Sequence, residues 1–487
     1  MRQVQICAAL TMLQVASTIL STVLFPDLAT VCPLSREVST FCGAVFSVLI
    51  ALGAYLHPAL LRERPLSVAL LALLAAGLVL LSVGLRWEKP VLILAGSPLG
   101  GIGLVWLSIL IGTSLSRLGR DEALGVIAFA FVLAYAVTPL LRSASPTPLT
   151  ASIVYFLAVV SAYVLVRPSV SGLLEDIRRH ESPNVLDATN PSSFLPLSSP
   201  VFITIFLFNV AYGFEALLSS GPLPPLETCL SFLPVALILL IGIARRSEAV
   251  SADALETVSG LLTLAGLLCL PMVLFPTSPL GVNGHLSAIL LRGGSDCFAV
   301  LMYYIIAVVG ARNPLGALTT SASAFAASWV GIGCGAALMA SLQTLSADAP
   351  DVLIFANATI TLIFVAYLFV ALRRFSFDEA AAGVVPVTPI EGGGEDAAAH
   401  EGDEASSEEC GSPFQRACEQ VALEHGLTSR ELDVLMLLAR GRTSPVIQER
   451  LVVSHNTVKS HVRHIYAKLD VHSQQELIDE VDRAIER

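Results

Sequence analysis

The sequence predicts an all-α chain in two unequal parts: a large polytopic α-helical membrane domain and a small C-terminal helical domain without a wing. Three observations predict it. Hydrophobic residues make up 54% of the 487 and charged residues only 14%. Apolar runs of about twenty residues, each long enough to cross a bilayer, recur from the start of the chain to residue 372. Beyond residue 374 these runs give way to an acidic stretch and then to short segments with amphipathic helical spacing.

Charge divides the chain in the same way. Residues 1–374 hold 18 Lys/Arg and 18 Asp/Glu, residues 375–412 hold ten acids and no base, and residues 413–487 hold ten bases and eleven acids. The net charge of −11 thus comes mostly from the middle segment. The domains read as 1–374 membrane domain, 375–412 linker and 413–487 C-terminal domain. The nine cysteines form no CxxC pair and mostly sit in apolar runs, as buried free thiols do. Cys410 and Cys418 lack a nearby cation that would favour a thiolate.

Twelve spans fit near 4–24, 40–60, 66–86, 91–114, 124–141, 149–167, 199–219, 228–244, 257–276, 284–307, 319–342 and 352–372. The first lacks a small-residue cleavage site before Pro26 and reads as a retained span. With the N-terminus inside, the inner segments hold thirteen Lys/Arg and the outer loops four: Arg36, Arg86, Lys89 and Arg142. The positive-inside rule then puts both termini on the cytoplasmic side. The long loop 168–198 is on the same side, with Leu173 to Arg179 as a candidate short surface helix.

Six spans, a longer inner loop and six more spans resemble the major facilitator transporter layout. The resemblance is in count and topology. The loop after the second span, His57 to Pro65, lacks the Gly- and Asp-bearing motif of that family.

Polar groups inside spans are expensive and mark candidate ligand-cavity residues: Asn209 and Glu215 in the seventh span, Arg292 and Asp296 in the tenth. Two readings stand for the last pair. Four residues apart on one helical face, they neutralise each other, or they line a cavity between the halves where Arg292 holds an anionic or phenolic group. Glu215 either shares that role or faces water at the outer end, and His285 reads as interfacial. Glycines 96, 100, 101 and 103 in the fourth span and 331, 333 and 335 in the eleventh allow close helix packing.

The linker carries Gly392-Gly393-Gly394 and an acidic block from Glu401 to Glu409, a composition that stays disordered. Thirty-eight flexible residues span roughly 35 Å r.m.s., enough to clear the headgroups.

The C-terminal domain opens with a helix over 413–425. Thr428-Ser429-Arg430-Glu431 is a capping box for the next, which stops at Gly441. Ser444-Pro445 starts a third, running to Leu451. Ser454 caps a fourth, in which Val458, Val462, Ile465 and Leu469 are spaced by four, three and four residues. Its other face shows Lys459, Ser460, Arg463 and His464. Ser473-Gln474-Gln475-Glu476 caps a last helix. Two helices joined by a short turn, the second cationic, have helix-turn-helix geometry suited to a DNA major groove.

Residues 427–478 resemble the LuxR-type (LuxR/NarL-like) helix-turn-helix family. The resemblance rests on Leu427-Thr428, Glu431, Val434-Leu435, Leu438-Ala439, Gly441, Ile447, Leu451, Ser454, Thr457-Val458-Lys459, His461, Ile465, Lys468-Leu469, Val471 and Ser473. The usual Asn-Lys-Glu-Ile is Ser444 to Ile447 here, Asp470 replaces a glycine, and Gln474 stands where Arg is frequent. The resemblance implies that Lys459, Ser460 and Arg463 face bases, with His461 and His464 beside them. It also implies that Thr457 and Lys468 touch phosphates and that residues 473–485 make a homodimer contact. His461 and His464 lack a partner at metal-ligand spacing, and no metal or cofactor is expected.

As a whole the chain resembles membrane-bound LuxR-type regulators with a polytopic N-terminal domain. That implies a one-component transcriptional regulator in the bacterial inner membrane, whose partners are promoter DNA, membrane lipid and a small-molecule ligand, with RNA polymerase a further one. The alternative is a transporter that carries its own regulatory domain. No phosphate-binding glycine loop, nucleophile motif or metal cluster points to an enzyme.

Overall fold

A computed structural model describes residues 2–144, 147–179, 194–196, 198–218, 225–244, 251–271, 285–345, 350–373, 375–384, 413–442, 444–451 and 453–486. Among them every regular element is helical. The chain divides into two compact units, one over residues 1–179 and 196–382, the other over 180–195 and 383–487.

Among the described residues, twelve long helices build the first unit, one for each expected span. In order they are α1 (Arg2–Ala29, with a π turn at Leu20–Leu24), α2 (Ser35–Leu56), α3 (Glu63–Arg86), α4 (Pro90–Leu115), α5 (Arg120–Ala144) and α6 (Pro148–Arg179). Then come α7 (Pro200–Leu218), α8 (Pro225–Ala244), α9 (Ala252–Cys269), α10 (His285–Arg312), α11 (Ala317–Leu345) and α12 (Pro350–Ala366, continued by a π turn, Tyr367–Ala371). Ten of these are long and apolar enough to cross a membrane, and α7 and α8 carry shorter apolar stretches within the described residues. Phe41, Val79, Leu261 and Phe355 stand exposed on the bundle, as lipid-facing side chains must.

The packing repeats with a period of six helices. The pairs α3–α4, α2–α4, α1–α5, α2–α11 and α4–α11 recur as α9–α10, α8–α10, α7–α11, α8–α5 and α10–α5. Two six-helix halves related in this way place α4 and α10 against each other at the centre. Both are buried all round there, Gly103–Leu115 in α4 and Val300–Gly310 in α10, which explains why their sequences are apolar on every face. The close helix contacts rest on glycine. A Cβ on Gly335 of α11 would lie 2.1 Å from the Val210 carbonyl of α7, and one on Gly96 of α4 would lie 2.8 Å from the Gly77 carbonyl of α3.

At one end of the bundle the halves are joined by hydrogen bonds. Ser321 Oγ donates to the Ile109 carbonyl at 2.9 Å and Thr319 Oγ1 to the Ala54 carbonyl at 3.2 Å. Leu173 to Arg179 does not form a separate surface helix. It continues α6, and Leu173, Leu174 and Ile177 are buried, so tertiary packing extends the span through Pro168.

Residues 375–384, expected to begin the linker, include a short helix, α13 (Phe377–Ala382), packed on α9 and α10. The expected disorder of residues 385–412 lies outside the described residues.

The second unit holds α14 (Pro413–Glu424), α15 (Ser429–Ala439), α16 (Ser444–Leu451), α17 (His455–Leu469) and α18 (Gln474–Glu486). Their shared core includes Cys418, Leu435, Leu438, Ile447, Val458, Val462, Ile465, Leu469, Leu477 and Val481.

Candidate nucleic-acid interface and polar site in the membrane bundle

The cationic helix is fixed by three local devices. Ser454 Oγ accepts from the Thr457 amide at 3.2 Å and closes the N-terminus of α17. Val458, Val462, Ile465 and Leu469, with Tyr466, are buried against α15 and α16. Asp470 closes the C-terminus at φ 54°, a left-handed conformation that explains the glycine usual in LuxR-type sequences.

This leaves one face of α17 outward. Ser460, Arg463 and His464 are exposed, as is Thr457, whose hydroxyl lies 2.8 Å from that of Ser454. Lys459 and His461 are half-buried at the edges of the same face. The turn from α16 into α17 presents this face in helix-turn-helix fashion.

Lys468, expected at a phosphate, is exposed and also has protein partners. Its Nζ lies 2.7 Å from Glu431 Oε2 and 3.0 Å from the Gly426 carbonyl. Glu431 is 4% exposed and also accepts from the amide and hydroxyl of Thr428, completing the expected capping box of α15. Burial pushes the Glu431 carboxyl up; the Lys468 hydrogen bond and the two Thr428 donors outweigh it and hold the pKa down to about 2. His464 Nδ1 stands 3.8 Å from the other oxygen of Glu431. Lys468 thus ties α17 to the start of α15.

Gln474, where LuxR-type sequences often carry Arg, has a task of its own. Its Nε2 donates to the Leu438 carbonyl at 2.9 Å and to the Arg442 carbonyl at 3.3 Å, satisfying the C-terminal end of α15. Cys418 is buried in the core, and burial pushes its thiol up to about 11, which makes it an inert packing group. Cys410 lies outside the described residues.

In the bundle, Arg292 and Asp296 meet more than each other. Tyr135 of α5 donates its hydroxyl to Asp296, and Arg292 faces Tyr135, Tyr212 of α7 and Asp296. The Tyr135 ring stacks on Phe232 of α8 at 4.8 Å. The site thus joins α10 and α7 of one half to α5 of the other. Tyr135 and Tyr212 carry no charge and lie in apolar spans, so no signal in the sequence marked them. Asn209 is engaged elsewhere: its Oδ1 accepts from Ser328 of α11 at 3.0 Å and its Nδ2 donates to the Ile205 carbonyl at 2.7 Å, within the α7–α11 contact. The side chains of Glu215 and His285 lie outside the described residues.

The architecture thus defines a multi-pass membrane bundle joined in one chain to a helix-turn-helix domain. The comparisons with known proteins then name the two parts. Residues 425–481 match the family described as "Bacterial regulatory proteins, luxR family", so the C-terminal domain is a LuxR-type DNA-binding domain. The transcriptional regulatory protein LiaR of Bacillus subtilis is 49% identical over 51 residues, which are 10% of this chain and 24% of that protein. A putative HTH-type transcriptional regulator of Mycobacterium bovis is 44% identical over 57 residues, 12% of this chain and 6% of that one. The chain thus spans about a quarter or less of the length of these relatives. The membrane bundle has the major facilitator fold: the structure of the proton:xylose symporter XylE is similar at a TM-score of 0.52 and 12% identity, over 78% of this chain and 98% of that one.

Proposed function

We propose that the chain is a membrane-embedded, one-component transcriptional regulator of the bacterial inner membrane. The major-facilitator-type bundle receives a small molecule or a change in membrane state, and the LuxR-type domain, on the cytoplasmic side, binds promoter DNA as a homodimer and so alters access for RNA polymerase. The observation that carries this reading is the direct junction of the two parts. Only residues 383–412 separate bundle and DNA-binding helices, thirty residues by count, too few to hold a phosphorylated receiver domain.

Within the interface, Lys459, Ser460 and Arg463 read bases, with His461 and His464 flanking them and Thr457 near the backbone. In the bundle, the Arg292–Asp296–Tyr135 site holds an anionic or phenolic group, since Arg292 is a fixed cation ringed by hydroxyls and aromatic faces. In this reading the protein has a regulatory role, with no catalytic step.

The test is genome-wide promoter occupancy in cells making the full chain. Each of Lys459→Ala and Arg463→Ala is expected to lower occupancy by at least about 10-fold, as loss of a base contact does. Unchanged occupancy in both variants would overturn the DNA-binding assignment.

A second reading is favoured by the fold that the bundle shares with a symporter. In it the bundle transports the compound that the regulator responds to. Uptake of the inducing compound by the chain truncated after residue 384 supports that reading; retained ligand response with no uptake supports the first.

A further inference from the structure

The polar site of the bundle already holds a phenol, and that phenol is the protein's own. Tyr135 of α5 reaches across from the other half and donates its hydroxyl to Asp296. Arg292 lies within hydrogen-bonding reach of the same oxygen. Phe232 of α8 stacks on the ring, with centroids 4.8 Å apart and planes inclined by 29°. The stack depends on a close approach of α8 to α10. A Cβ on Gly293 would lie 2.9 Å from the Ser231 carbonyl, next in the chain to Phe232. An acceptor, a donor and an aromatic face are together what recognition of a phenol needs.

The site also has open space. Tyr135, Arg292 and Asp296 lie deep among the helices, yet each keeps part of its surface uncovered. Tyr212 and Phe232 beside them are half-buried as well. Side chains left uncovered at that depth line a space inside the bundle, aromatic in its walls with a few polar groups, as ligand sites are. Charge decides what can enter. Arg292 and Asp296 sum to zero, so a carboxylate ligand would leave the described groups of the site at a net negative charge. An unpaired charge away from water is heavily penalised. A neutral phenol adds no charge, and its hydroxyl can make the bond that Tyr135 makes.

We propose that this site takes a neutral phenol, which displaces the Tyr135 hydroxyl from Asp296. The proposal rests on the ligand-site reading above. Tyr135 is then a built-in competitor, which fills the acceptor until ligand takes it. No proton is transferred: one hydrogen bond from a hydroxyl to the carboxylate replaces another. Occupancy exchanges a bond between the halves for a bond to ligand, so ligand and the tie between halves oppose each other.

The experiment is isothermal titration of the detergent-solubilised full chain with phenol, anisole and benzoate, each compared with detergent alone. The three share one ring and offer a donor, no donor and a negative charge. Phenol is expected to bind at least about 10-fold tighter than either of the others, the effect of one hydrogen bond to a charged group. Tyr135→Phe removes the competing hydroxyl and keeps the ring. Phenol should bind that chain about 10-fold tighter still, by the same bond, with anisole unchanged. In the chain carrying both Arg292→Leu and Asp296→Asn, the preference for phenol over anisole should vanish. Benzoate binding as tightly as phenol overturns the proposal and leaves the site to an anion. Phenol affinity that equals that of anisole, or that Tyr135→Phe does not raise, overturns it too. If none of the three binds the unaltered chain or Tyr135→Phe, the reading of this place as a ligand site has failed, and the phenol with it.

Discussion

Each of the two units carries an acid and a base at its centre, and they are built in opposite ways. In the DNA-binding unit, Glu431 meets Lys468 and the cap residue of its own helix, all within one small domain. In the bundle, Asp296 and Arg292 share one helix but take their further contacts from Tyr212 of α7 and from Tyr135 across the two halves. The first arrangement is closed, since every partner moves with the acid. The second spans the boundary between the two halves, so its partners come from separate parts of the bundle. Similar chemistry joins neighbouring helices of one small domain in one place and the two halves of a bundle in the other.

The largest expected effect comes from breaking the open pair. Arg292→Leu leaves Asp296 inside the bundle without its cation, and removal of one partner of a buried pair costs about 3–5 kcal/mol. Thermal unfolding of the detergent-solubilised protein measures this. Adding Asp296→Asn to Arg292→Leu is expected to restore much of the loss. Tyr135→Phe alone is expected to cost less but to abolish the response to inducer, because it cuts the tie between halves and leaves the charges paired. A Tyr135→Phe chain with a full response would make the open pair as structural as the closed one.

The closed pair comes next. Lys468→Ala removes the ammonium from Glu431 but leaves both Thr428 donors. Loss of a hydrogen bond between charged groups costs about 1.5–3 kcal/mol, read by urea denaturation of residues 413–487, which have their own core. The slope of DNA affinity against salt is expected to stay as it was. A slope lower by about 0.9, the signature of one lost phosphate contact, with little change in stability would show Lys468 on the DNA instead.

These pairs also show what the sequence carries. The spans and the helices of the C-terminal unit were legible, because twenty-residue apolar runs and capping boxes are local signals: Thr428 with Glu431, and Ser454 before Thr457, fall where spacing puts them. So was the buried face of α17. What escaped was tertiary. The partner of Lys468, Glu431, is 37 residues away and was not marked by spacing. Tyr135 is 161 residues from Asp296 and looks like one more span residue. The short helix after α12 was hidden for the same reason: its acid and base caps, Asp253 and Arg312, precede it by more than 60 residues.

Acid tests the closed pair directly. The Glu431 pKa is lowered from 4.5 to about 2 in the folded domain. The folded state therefore binds the proton less readily than the unfolded chain, and stability rises with pH wherever the unfolded chain holds the extra proton. The contribution is complete above pH 4.5 and is lost as pH falls from there toward about 2. Glu431→Gln should remove this part of the acid sensitivity and lower stability at pH 7. An unaltered acid transition in Glu431→Gln would mean that the brace is not what acid breaks.

The smallest effect sharpens the picture of the closed unit. Asp470 holds φ 54° at the end of α17, and among non-glycine residues only Glu88 shares a positive φ among the described residues. A side chain in this region costs up to roughly 1–2 kcal/mol, less for Asp, whose short polar group bonds locally. Asp470→Gly should therefore stabilise residues 413–487 by roughly 1 kcal/mol or less, visible as a higher urea midpoint at unchanged slope. It also removes a negative charge beside the cationic helix, so affinity for non-specific DNA should rise with it. A gain in affinity without a gain in stability would assign Asp470 to tuning DNA contact. A gain in stability alone would mark it as a tolerated strain at the end of the brace that Glu431 and Lys468 hold.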